Sequence, residues 1–69
     1  MSTVFVIVYF ETLEDMNLVK QHLECLNYSM TTEEHNKTLT LESVFAFQFV
    51  QQFCAIFDIE MTFWVAIYK

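Results

Sequence analysis

A chain of 69 residues that is 55% hydrophobic, with eight Phe, three Tyr and one Trp, carries too much apolar side chain for disorder and has room for a single domain. It contains no Gly and no Pro, which excludes a glycine-rich phosphate-cradling loop and leaves Asn and Asp as the natural residues for left-handed turns. Nine acidic residues against Lys20, Lys37 and Lys69 give a formal charge of −6, and three scattered lysines do not make the cationic stripe that direct nucleic-acid binding requires.

The first element is a strand, Thr3 to Phe10, β-branched or aromatic throughout. A strand with one wet face alternates apolar with polar, and the run VFVIVYF at 4–10 does not, so it belongs at the centre of a sheet. At Thr12 the period changes. Leu13, Met16, Val19, Leu23 and Leu26 recur at three- and four-residue spacing, the stripe of an amphipathic helix. Thr12 with Asp15 predicts a capping box in which Asp replaces the usual Glu, and Asn27 predicts the stop. Glu11, Glu14 and Asp15 sit where the helix dipole favours negative charge.

A short strand from Tyr28 to Thr32, a polar turn over 33–37 with Asn36 in the left-handed position, and a second short strand from Thr38 to Leu41 come next. Thr40 is the expected cap of a second helix running from about Leu41 to Phe57, with Glu42 in its first turn. On that helix Phe45, Phe49, Phe53 and Ile56 form one stripe, which Phe47, Val50, Cys54 and Phe57 widen to roughly half the circumference. The closing strand runs from Met61 to Tyr68, with Phe63, Val65 and Ile67 on one face and Thr62, Trp64, Ala66 and Tyr68 on the other.

The order strand, helix, strand, strand, helix, strand predicts an α+β domain over 1–69 of the ferredoxin-like βαββαβ plan, a four-stranded antiparallel sheet with both helices on one face. One sheet face is then uncovered. Whichever set of the first strand turns inward, Val4, Val6, Val8 and Phe10 or Phe5, Ile7 and Tyr9, the other points out. The apolar surface is larger than one copy can hide, and we expect Phe5, Ile7, Tyr9, Phe47, Val50, Cys54, Trp64 and Tyr68 to form an association surface, most simply that of a homodimer.

No motif names a reaction. His22 and Cys25 lie three apart on the first helix, but structural zinc takes four ligands at recognisable spacing, and no metal site or cofactor is expected. Glu11 ends the first strand where ferredoxin-like nucleases often carry a metal-binding acid, a resemblance of position that supplies the alternative reading, a metal-dependent nuclease. The apolar runs are too short to span a bilayer and the first lacks a positive leader, so cytosolic residence and two reduced thiols, Cys25 and Cys54, are expected.

The leading expectation is a non-catalytic acidic protein-binding module, a small regulator or inhibitor, with Glu11, Glu14, Asp15, Glu33 and Glu34 presented to a protein with a basic surface. In bulk the chain is similar to small phage and plasmid accessory proteins that block nucleic-acid-binding enzymes, an analogy of type.

Overall fold

The computed structural model describes the backbone of residues 3–68 and the side chains of residues 4–67. In chain order the elements are β1 (Thr3–Phe10), α1 (Leu13–Cys25), β2 (Met30–Glu33), β3 (Thr38–Leu41), α2 (Val44–Phe57) and β4 (Met61–Tyr68). The strands form one sheet in the order β2-β3-β1-β4 with every neighbouring pair antiparallel, the ferredoxin-like plan that the element order predicts.

β1 is central, as its unbroken apolar run predicts. It pairs with β4 from Thr3↔Tyr68 to Phe10↔Met61 and with β3 from Val6↔Leu41 to Tyr9↔Thr38. Strand alternation then sorts its two faces. Val6, Val8 and Phe10 turn toward the helices and are buried, together with Leu39 and Leu41 of β3, Met16, Val19 and Leu23 of α1, and Ala46, Phe47, Val50 and Cys54 of α2. This is a single core between one sheet face and two helices.

Thr12 caps α1, its Oγ1 accepting from the Asp15 N–H at 3.1 Å, an arrangement worth about 1 kcal/mol. α1 ends at Asn27, whose φ of 63° is left-handed, while the Tyr28 N–H returns to the Leu23 carbonyl at 3.1 Å and satisfies a terminal carbonyl. α2 ends the same way on Asp58, φ 54°, with the Ile59 N–H donating to the Cys54 carbonyl at 2.9 Å.

Three local features differ from the sequence reading. β2 runs from Met30 to Glu33 rather than from Tyr28 to Thr32, because Tyr28 is used in closing α1 and Glu33 still pairs with Thr38. α2 is capped by Ser43, whose Oγ accepts from the Phe45 and Ala46 N–H groups, since Thr40 and Leu41 are held in the β3 ladder; Glu42 consequently precedes the helix. In the β2–β3 turn the left-handed residue is Lys37, φ 57°, not Asn36. The turn occupies four residues, 34–37, and its last residue must reverse the chain into β3. Asn36 instead uses its side chain, donating from Nδ2 to Glu33 Oε2 at 2.9 Å. No helix among the described residues is long and apolar enough to cross a membrane.

Candidate protein-binding surfaces

The topology gathers charge at one end of the sheet. β1 runs toward Phe10, which pairs with Met61; Tyr9 pairs with Thr38, and Thr38 with Glu33. The β1–α1 junction, the β2–β3 turn and the α2–β4 connection therefore all lie at the same end. Between them they carry Glu11, Glu14, Asp15, Glu33, Glu34, Asp58 and Glu60, seven of the nine acidic residues, leaving only Glu24 and Glu42 elsewhere. All but the half-buried Asp15 are exposed. Lys37 reaches into this end, its Nζ donating to the Glu11 main-chain carbonyl at 3.3 Å. The five acids that the sequence proposes as partner-binding are thus brought together, and Asp58 and Glu60 join them. An open hollow of about 430 Å³ beside Glu11, Asp58 and Glu60 has the Cys54–Ala55 side of α2 as its wall.

The sheet face away from the helices carries Phe5, Ile7 and Tyr9 from β1 and Trp64 from β4, with Tyr9 and Trp64 exposed and Phe5 and Ile7 half-buried. Toward β3 and β2 this face turns polar, with Thr38, Thr40, Thr31 and Glu33. The Tyr68 side chain lies outside the described residues.

Phe47, Val50 and Cys54 require a correction. They are 9%, 1% and 5% exposed and form the floor of the core, so they have no surface to offer a partner. α2 rotates this stripe inward because it must meet Val6, Val8 and Leu39 of the sheet, with the Phe47 ring 4.7 Å from that of Phe63. The opposite apolar arc is left outside. Phe45 and Ile56 are 69% and 76% exposed, while Phe49 meets Tyr28 and Phe53 meets His22 and Phe57 on the flank toward α1. The helix-side residues of β4, Phe63, Val65 and Ile67, are also exposed, because the two helices sit over β1 and β3 and leave this edge strand uncovered.

His22 is accounted for by its ring contact with Phe53, at 4.8 Å between centroids. Among the described residues no group of three or more His, Cys, Asp or Glu side chains is placed to hold a metal ion. Both cysteines are free, Cys25 exposed and Cys54 buried. Burial, with the Asp15 carboxylate adding to it, pushes the Cys54 thiol up from its ordinary value of 9.0. A disulfide reagent at mildly alkaline pH is expected to label one thiol per chain quickly and the second only on unfolding; two equally fast thiols would show that α2 does not shield Cys54. Because the folded thiol holds its proton more tightly than the unfolded one, its contribution to stability is intact below the ordinary value and is lost as pH rises through the folded one.

No family model, curated protein or solved structure matches the chain.

Proposed function

We propose that the protein is a non-catalytic protein-binding module, a small regulator or inhibitor that works as a homodimer and offers its acidic end to a basic surface on another protein. The observation that carries this reading is the collection of seven carboxylates at one end of the sheet, where three connections converge. Helix-dipole complementarity accounts for Glu14 and Asp15 but not for the acids of the other two connections. A concentrated negative field of this kind steers association with a cationic groove and resembles the charge of a nucleic-acid backbone. A basic groove on a nucleic-acid-binding enzyme is the partner chemistry it fits. The exposed apolar residues beside it, Tyr9 and Trp64 on the open sheet face, supply contact area that charge alone does not.

The test is affinity capture on the immobilised protein, run in parallel with a variant carrying Glu11→Gln, Glu14→Gln, Glu33→Gln and Glu34→Gln. All four positions are exposed, so the variant is expected to keep its fold. We expect a stoichiometric basic partner on the native protein, released by salt and absent from the variant. No stoichiometric partner, or equal retention by both proteins, sinks the reading.

A further inference from the structure

We propose that β4 is a self-pairing edge: two copies join antiparallel along Met61–Tyr68, about a two-fold axis perpendicular to the sheet, making one continuous sheet of eight strands. This rests on the homodimer of the proposed function and goes beyond it by naming the surface and the geometry.

The backbone itself presents the edge. The Phe10 N–H donates to the Lys37 carbonyl at 3.0 Å, so the main-chain groups of Phe10, Val8 and Val6 turn toward β3. In an antiparallel ladder successive residues turn to opposite sides, which directs Tyr9, Ile7 and Phe5 toward β4. Their partners Thr62, Trp64 and Ala66 therefore turn toward β1, and Met61, Phe63, Val65 and Ile67 direct their N–H and C=O groups outward along the free side of β4.

The two edges of the sheet are built differently. β2 has four residues, ends on Glu33 and runs into Glu34, the short and charged form that discourages strand addition. β4 has eight residues, MTFWVAIY, with no charge and no Pro, and its side chains are open on both faces, Trp64 on one and Phe63, Val65 and Ile67 on the other. None of the protective devices of an edge strand is present in it.

A second copy brings the same eight-residue uncharged edge with the same outward-turned groups, and charge selects its direction. The acidic end lies at the Met61 end of β4. A parallel copy would set two such ends side by side. An antiparallel copy places them at opposite ends of the joint strand pair, about 20 Å apart at 3.4 Å per residue from Met61 to the position facing Ile67, well beyond a Debye length of about 8 Å. A two-fold axis perpendicular to the sheet keeps like faces together, so opposed residues come from the same face. Centring the axis on Trp64 sets Phe63 against the second copy's Val65 and Met61 against its Ile67. The outward-turned groups of both strands then meet in narrow pairs that exchange two hydrogen bonds each. The half-open Phe63, Val65 and Ile67 side chains gain the cover that the helices do not give them.

Sedimentation or light scattering on the purified full chain tests this, with the variants Val65→Pro and Val65→Lys. Val65 turns its N–H to the free edge and its side chain is 47% exposed, so proline removes a donor that β1 does not use and lysine extends its ammonium to solvent. The expected result is twice the 8.3 kDa chain mass for the native protein and a single chain mass for the variants, with far-ultraviolet dichroism unchanged. Should Val65→Pro fail to fold, Val65→Lys carries the test. A native protein that stays at one chain mass overturns the inference together with the homodimer on which it rests, and leaves the acidic partner-binding part of the proposed function standing if the basic partner is still retained. A dimer that persists in the folded variants but dissociates with Tyr9→Lys assigns the contact to the open sheet face and overturns the edge.

Discussion

Truncation of Phe47 to alanine is expected to destabilise the domain by about 3–5 kcal/mol, whereas Phe45→Ala, two residues earlier on the same helix, should stay within about 0.5 kcal/mol. The difference follows from rotation alone. Phe47 is 9% exposed, packed in the core with its ring against Phe63 of the sheet, and its removal leaves a cavity there; Phe45 is 69% exposed. At about 0.05–0.15 kcal/mol per residue the whole domain has some 3–10 kcal/mol of stability, so the Phe47 variant approaches complete unfolding. Urea unfolding followed by dichroism at fixed protein concentration measures both. Similar midpoints for the two variants would mean that α2 presents a different face to the sheet.

The second large effect concerns rates. If the acidic end meets a cationic groove, the association rate with the captured partner should fall about 10- to 1,000-fold as salt is raised, because the Debye length shrinks from about 30 Å at 0.01 M to about 3 Å at 1 M. The dissociation rate should change far less, since rim charges act mainly on encounter. Stopped-flow mixing at a series of salt concentrations separates the two. The Glu11, Glu14, Glu33 and Glu34 glutamine variant should start from the slower rate and respond more weakly, as four of the seven carboxylates at that end are gone. An association rate indifferent to salt would place the contact elsewhere.

The central position of β1 was legible because no polar residue interrupts 4–10, but the pattern is not decisive by itself, since β4 is apolar from 63 to 68 and lies at the edge. The rotation of α2 was not. Its two apolar arcs, one through Phe45, Phe49 and Ile56 and the other through Phe47, Val50 and Cys54, are nearly equal in hydrophobicity. Periodicity measures contrast between faces, and here the contrast is weak; what decides the matter is the shape of the sheet surface below. Side-chain chemistry also misdirected two local assignments. Asn36 has the better propensity for a left-handed turn, yet the four-residue turn needs that conformation one position later, at Lys37. Thr40 has the chemistry of a cap but belongs to a ladder, and Ser43 takes its place.

For the candidate site, the acids at 11–15 and 33–34 were visible as residues but not as one surface. The signal was available in the strand order, since the ferredoxin-like plan sends the β1–α1, β2–β3 and α2–β4 connections to a common end. Asp58 and Glu60 follow from the same reasoning. Charge counted along the chain does not show it; charge placed on the topology does.

The position of β1 also bears on biogenesis. Its partners are both made later, β3 some thirty residues on and β4 last, with Thr3 matched to Tyr68. During translation this apolar segment waits unpaired until β3 has been made, and on its other side until β4 has, and long-range ladders of this sort close slowly. Slowing synthesis before β4 is expected to lengthen the time for which that side of β1 stays open.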